Sequence, residues 1–318
     1  MKRIPVIFIL VLAFLAIVLG GCLLRRRAGL VATSFPSIEV SQEVTRSVVR
    51  ESHLDVPYKS LPGLNPKFLS LDIYGPEDGT TRPVMIFVHG GAWSLGDKSQ
   101  VDLKPDFFVR SGFIFVSVNY RLSPAYPFPA QAEDVASAVV WVYSNIEKYG
   151  GDPAKIFMMG HSAGAHLVAL VATDAHYLQV EGSDLSVLKA VIPLDTQAYD
   201  LTEVIGDSPQ EAKIYTGVFG TDPSGWRSAS PINFVSAGKG IPPMAVAYSG
   251  GLMGEGDYTR QQAAAEFTSR LQAAGIEFVL VPAIEKSHAQ INQEFGQPGD
   301  PVTMVIMDFI QQVLDEMK

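Results

Sequence analysis

Short, largely apolar runs along this chain alternate with longer stretches in which apolar residues recur at helical spacing. Val84–Val88, Phe113–Val118, Lys155–Met159, Leu188–Leu194, Met244–Tyr248 and Ile276–Val281 are such runs, and Phe68–Tyr74 reads as an earlier strand closed by the turn-rich Gly75-Pro76-Glu77-Asp78-Gly79. Continuous rather than alternating apolarity is expected of strands buried on both faces. Between them, Gln131–Tyr149 carries Val135, Ala138, Val139 and Val142 on one helical stripe, and Gly150-Gly151-Asp152-Pro153 stops it. Further helices are expected from the elbow at 162 to about Ala175, over Thr259–Ala274 and over Val302–Met317. Strands alternating with helices of this length imply an α/β fold, a mostly parallel sheet covered on both faces. Residues 196–240, rich in Gly, Pro and Asp with Tyr215, Phe219, Trp226 and Phe234 interspersed, read as an irregular insertion capping a site.

The first 24 residues break this pattern. Lys2-Arg3 precede an apolar run over Ile4–Leu19, and Gly20-Gly21-Cys22 follow. A charged start, an apolar middle and small residues before a boundary describe an export signal. Leu19-Gly20-Gly21-Cys22 resembles a bacterial lipobox, which implies lipidation at Cys22 and a lipoprotein held at the cell envelope. The competing reading is a single-pass signal anchor: Ile4–Leu24 is long enough to span a bilayer, and Arg25-Arg26-Arg27 directly after it tends to stay cytoplasmic. A simple cleaved secretion signal is the third. Residues 25–50 read as a linker and 51–318 as the folded domain.

Composition narrows the partners. The 318 residues are 47% hydrophobic, enough for one large core, and the net charge is −9 although residues 1–27 contain basic residues and no acid. An acidic body with no basic stripe argues against nucleic acid. Cys22 is the only cysteine, so neither an intrachain disulfide nor a cysteine zinc site is available; nothing calls for a metal or an organic cofactor.

The candidate chemistry begins at Gly160-His161-Ser162-Ala163-Gly164. A strand runs into this G-x-S-x-G and an alanine-rich helix leaves it, the context of a nucleophile elbow. The tight turn demands small neighbours and holds the Ser162 hydroxyl above the sheet. A serine needs a base, and His288, a few residues beyond the last strand, lies on the sheet edge where ligands bind. His161, His166 and His89 read as structural, and His53 and His176 as surface residues. The third member should be a carboxylate after the penultimate strand; in Ser249-Gly250-Gly251-Leu252-Met253-Gly254-Glu255-Gly256-Asp257, both Asp257 and Glu255 qualify, Asp257 being the first choice. Oxyanion donors are expected from the N–H of Ala163 and from the Gly90-Gly91 loop. Trp93, Phe107, Phe108, Leu252 and Met253 are candidates for a modest apolar pocket, although each also suits ordinary core.

Together these segments resemble the α/β-hydrolase superfamily in its carboxylesterase branch, which includes hormone-sensitive-lipase-like esterases and kynurenine-formamidase-like enzymes. His89-Gly90-Gly91-Ala92-Trp93 is similar to its HGG loop, Tyr120-Arg121-Leu122-Ser123-Pro124 through Phe128-Pro129-Ala130 to Glu133-Asp134 to its Y-R-L-x-P…F-P-A…D segment, and Ala229-Ser230-Pro231-Ile232 to its S-P-I/L segment. The likeness covers about residues 50–318. It implies an α/β-hydrolase fold with a small cap, and a serine esterase that cleaves small carboxylic esters through an acyl-serine intermediate. An arylformamidase-type amide hydrolase and a non-catalytic binding protein on the same scaffold are the alternatives. The motifs fix neither the substrate nor the oligomeric state.

Overall fold

A computed structural model describes residues 51–76, 78–207, 209–250 and 259–318. The expected export segment with Cys22, the linker over 25–50, and Leu252, Met253, Glu255 and Asp257 lie outside the described residues. Among the described residues no helix is long and apolar enough to cross a membrane.

Eight strands, β1 (Glu51–Pro57), β2 (Ser70–Gly75), β3 (Arg82–Val88), β4 (Ile114–Val118), β5 (Gly151–His161), β6 (Leu188–Leu194), β7 (Met244–Ser249) and β8 (Phe278–Ala283), form one sheet in the order β1-β2-β4-β3-β5-β6-β7-β8. The pairs β1–β2 and β2–β4 are antiparallel, and every pair from β4 onward is parallel. The α/β-hydrolase arrangement expected from the sequence is therefore present. From β3 the chain moves one way to β4 and then back past β3 to β5. Strand order reverses there, and the loops leaving the carboxyl ends of β3 and β5 open a crevice between them.

Alternation along the buried strands sorts their side chains into two cores. Val84, Ile86, Val88, Ile156 and Met158 point to one face, with α2 (Ala130–Asn145), α3 (Ala163–Thr173) and Phe267 of α8 (Arg260–Ala273). Met85, Phe87, Phe157 and Met159 point to the other, against Phe108 of α1 (Lys104–Arg110) and the Ile306–Ile310 stripe of α10 (Pro301–Glu316). Local chemistry sets the helix ends. The Thr259 side chain accepts from Gln262 N at the start of α8, and Asp300 accepts from Thr303 N ahead of Pro301 in α10. A left-handed Gly150 closes the 3-10 turn that follows α2.

Two expectations are corrected. The insertion 196–240 is not irregular: it contains α5 (Leu201–Asp207), α6 (Pro209–Phe219) and α7 (Pro223–Ser228). Prolines fit the first turn of a helix, and the Asp222 side chain caps α7, so residues that read as breakers are in fact starters. For Phe107 and Phe108 the packing favours the core reading over the pocket one. Phe108 lies among Phe113, Phe115 and Phe295 in the second core, and Phe107 packs edge-on against Phe295. Two short helices, α4 (His176–Val180) and α9 (Gln290–Gln293), follow α3 and β8 respectively. Because Phe108 is completely buried among four rings, Phe108→Ala is expected to cost about 3–5 kcal/mol, read as a lowered urea midpoint with an unchanged slope.

Candidate active site

Ser162 sits between β5 and α3 with φ 56° and ψ −119°, a left-handed region that a serine enters only where its surroundings hold it. Those surroundings are backbone. A methyl at Gly160 would strike the Gly164 carbonyl, and one at Gly164 would strike the Val88 and His89 carbonyls at the end of β3. A methyl at Gly90 would come within 3.1 Å of Ser162 Cβ. The three glycines are thus required by close approach, and they bring the β3 loop alongside the serine. Ser162 N–H continues the sheet ladder by donating to Leu194 O at 3.0 Å, which leaves the half-buried hydroxyl as the group presented at the crevice.

That hydroxyl meets His288. His288 Nε2 lies 2.9 Å from Ser162 Oγ, and Nδ1 lies 2.6 Å from Asp195 Oδ2. An ionised carboxylate only accepts, so Nδ1 carries the proton and Nε2 is the free base facing Oγ–H. Ser162 and His288 come together across 126 residues, as the sequence implies.

The carboxylate is a residue that sequence reasoning missed. Asp195 follows β6 directly, whereas the expected acids after β7, Asp257 and Glu255, lie outside the described residues. Strands β6 and β7 are neighbours, and an acid at the end of either keeps the chain order serine, acid, histidine. The available signal was an aspartate at the very end of the buried run Leu188–Leu194. Asp195 is fully buried. Ser249 N donates to Oδ1 at 2.8 Å, Ser249 Oγ to Oδ2 at 2.6 Å, and Arg260 Nη1 to the Asp195 carbonyl at 3.0 Å. Burial alone would raise this carboxyl; the His288 hydrogen bond and the Arg260 charge outweigh it and hold Asp195 below the usual carboxylate range.

The remaining histidines brace the site. His161 Nε2–H donates to the His288 carbonyl at 2.9 Å, tying the residue before the nucleophile to the backbone of its partner. His89 Nδ1–H donates to Gly90 O at 2.7 Å while its ring stacks on Tyr120, whose hydroxyl donates to His89 O. Because a trans peptide points its C=O and N–H in opposite directions, fixing Gly90 O turns Gly91 N–H the other way. Trp93 Nε1–H donates to His166 Nδ1 at 3.1 Å, His166 Nε2–H donates to Ala229 O, and the indole packs on Tyr215 and Phe219 of α6. The same loop is pinned further on by Lys98, buried against Asp72 and Asp55. Ala163 opens α3, where the first N–H groups have no partner within the helix.

His161, Asp195 and His288 also offer ligand atoms within 4.8 Å of one another. Two of the three are already members of the hydrogen-bonded chain that ends on Ser162, so the geometry describes proton handling at a hydroxyl.

Comparison with known proteins gives the family. The sequence profile of the BD-FAE family matches residues 71–250, more than half of the chain. The chain belongs to the BD-FAE family, within the α/β-hydrolase carboxylesterases. This BD-FAE chain is 33% identical over 270 residues to esterase LipQ of Mycobacterium tuberculosis, covering 80% of this chain and 61% of that one. It is 27% identical over 236 residues to the isoprenylcysteine alpha-carbonyl methylesterase ICME of Arabidopsis thaliana, covering 70% of this chain and 54% of that one. It therefore spans just over half the length of these relatives. Among solved structures, a truncated carbohydrate esterase from gut microbiota superposes with a TM-score of 0.67 at 21% identity, covering 83% of this chain and 96% of that one. Esterase 2 of Thermogutta terrifontis phosphonylated by sarin gives 0.65 at 22%, covering 84% and 95%. Both share the fold.

The bracing histidines make stability depend on pH. Burial holds His89 and His166 near 4; burial and then the neighbouring His288 hold His161 near 3. Their folded values lie below the unfolded value of about 6.5, so the unfolded chain binds more protons as pH falls through that range. The contribution of these three histidines to stability is expected to be flat above about pH 7 and to fall from about 6.5 to 3, with up to roughly three protons taken up on unfolding. Urea midpoints measured at half-unit pH steps check this.

Proposed function

We propose that this chain is a serine hydrolase that cleaves small carboxylic esters through an acyl-serine intermediate. The observation that carries the reading is one imidazole bridging a serine hydroxyl at 2.9 Å and a buried carboxylate at 2.6 Å. In this reading His288 Nε2 takes the Ser162 proton as Oγ attacks the ester carbonyl. The proton then passes to the departing alcohol, and a water activated by the same nitrogen releases the acid. Asp195 holds Nδ1–H and stabilises the imidazolium. The developing oxyanion is received by the N–H of Ala163, at the positive end of α3, and by the Gly90-Gly91 loop whose Gly91 N–H is set by the His89 contact with Gly90 O. The names of LipQ and ICME, both esterases, support ester rather than other acyl substrates.

The proposal extends to the N-terminal segment on sequence support alone: cleavage before Cys22 leaves it as the lipidated first residue, and its lipid holds the domain at a membrane. Mass spectrometry of the mature N-terminus is expected to find a diacylglycerol-modified Cys22; an intact Met1 indicates the signal anchor instead.

For the reaction, Ser162→Ala is expected to abolish turnover of p-nitrophenyl acetate and labelling by a fluorophosphonate probe, and unchanged turnover sinks the reading. Asp195→Asn is expected to lower kcat by roughly 10³–10⁴-fold, because the imidazole then loses its tautomer and its countercharge. Asp257→Asn is expected to lose less than about tenfold on this assignment. A greater loss in Asp257→Asn than in Asp195→Asn moves the acid to the segment after β7.

A further inference from the structure

Arg260 is the first residue of α8 and only 7% exposed. A cation is electrostatically misplaced there, because a helix N-terminus carries partial positive charge and Thr259 already caps this one. A buried guanidinium in that position needs a compensating anion. Its Nη1 donates to the Asp195 carbonyl at 3.0 Å, and its Nε lies 3.8 Å from Asp195 Oδ2. That same Oδ2 accepts from His288 Nδ1. The guanidinium thus lies within ion-pair distance of the carboxylate oxygen that the imidazole hydrogen-bonds, with Nε no more than about 6.4 Å from Nδ1, near enough for its charge to bear on the pair.

We infer that Arg260 is a positioning residue that sets the acid limb of the activity profile: lying against Asp195, it keeps that carboxylate ionised and the Asp195–His288–Ser162 relay intact down to lower pH. The inference rests on the proposed reaction. Two effects act in one direction. Without Arg260, a fully buried Asp195 protonates more readily, and a lone Asp195 charge stabilises the imidazolium more strongly. Either change removes the free base at Nε2 at a higher pH than in the parent.

The other charged and titratable groups around His288 do not take over this task. His161, from β5, spends Nε2–H on the His288 carbonyl and stays neutral. Lys104, on α1 and behind His161, donates to Asn292 O at 2.8 Å, and burial lowers its pKa to about 8. Lys286, on the histidine's own loop, is paired with Glu294 and Asp300. Among the described residues, Arg260 is the cation in contact with the relay.

The test is the acid limb of the kcat/KM profile on p-nitrophenyl acetate, which reports the free enzyme's base. In Arg260→Gln the limb is expected to move up by about 0.5–1 pH unit, so that activity below it falls roughly three- to tenfold while activity well above it is much less affected. Arg260→Lys, which restores the charge without the fork, is expected to return the limb to within about 0.3 unit of the parent at a modest loss of kcat. A merely structural role would lower kcat equally at every pH. A limb in Arg260→Gln that stays within about 0.2 unit of the parent, or one that moves as far in Arg260→Lys, overturns the inference. Should Arg260→Gln fail to fold, Arg260→Lys decides alone: a limb displaced by more than about half a unit, or a kcat loss above about 100-fold with an unmoved limb, overturns it, and anything smaller supports it. Ser162→Ala is run in parallel. Turnover surviving in that variant refutes the reaction itself, whatever Arg260 does.

Discussion

Everything at this site depends on how closely three pieces of backbone approach one another. The carboxyl end of β3, the turn after β5 and the first turn of α3 converge where Gly164 abuts the Val88 and His89 carbonyls and Gly160 abuts Gly164. No side chain fits at either position, and Ser162 is held left-handed between them. The strain is stored where it is used. An extended Ser162 would lay its hydroxyl along the sheet, whereas the bend lifts it toward the loop that carries Gly90 and Gly91. The completely buried α3 anchors one side of the bend and the parallel pairing of β3 with β5 anchors the other. Local unfavourable geometry is thus maintained by the largest continuous core of the domain.

The same economy governs the relay. Ser162 N–H bonds to Leu194 O, and Asp195 N–H bonds to Ala247 O. Two reacting groups are in this way residues of the sheet ladder, one step past the last paired strand positions, and inherit the rigidity of the sheet. His288 does not: it lies in the loop between β8 and α9, and its place depends on contacts from outside that loop. His161 holds its carbonyl, Asp195 its Nδ1, and the ion pairs of Lys286 with Glu294 and Asp300 tie down the segment just before it. In the proposed reaction His288 is the member that changes charge, and its mounting is assembled from the most separate pieces of chain.

Much of this was legible in the sequence, because it is written in short-range pattern. Continuous apolar runs identified the parallel strands, and the glycine spacing around Ser162 identified the elbow. His288 was identifiable because a histidine just past the last strand reaches the same sheet edge as Ser162. What was not legible depends on long-range pairing. Asp195 carries no local signature beyond standing at a strand end, and the choice between neighbouring strands β6 and β7 is made by where His288 Nδ1 points. Ser249 and Arg260 bear on the site through Asp195, a pairing that no local pattern announces. The helices between 201 and 228 were hidden because Pro209 and Pro223, which break a helix in its middle, here start one. Phe107 and Phe108 looked like pocket residues because sequence proximity to an active loop says nothing about which face of the sheet a helix covers.

Four histidines crowd this end of the sheet, and burial alone does not say which is the base. His161 and His288 are both half-buried, with ring centroids 4.6 Å apart. Their partners separate them. The Nε2–H of His161 is committed to a neutral carbonyl, and a second positive charge beside His288 is unfavourable, so this ring stays uncharged. His166 and His89 likewise donate to carbonyls, in surroundings that exclude water. His288 alone among them has a carboxylate on one nitrogen and a hydroxyl on the other. A neutral acceptor stabilises an imidazolium weakly, whereas an ionised carboxylate stabilises it strongly and in the required tautomer. Of these four rings, His288 is the one that can accept a proton and return it without leaving an uncompensated charge behind.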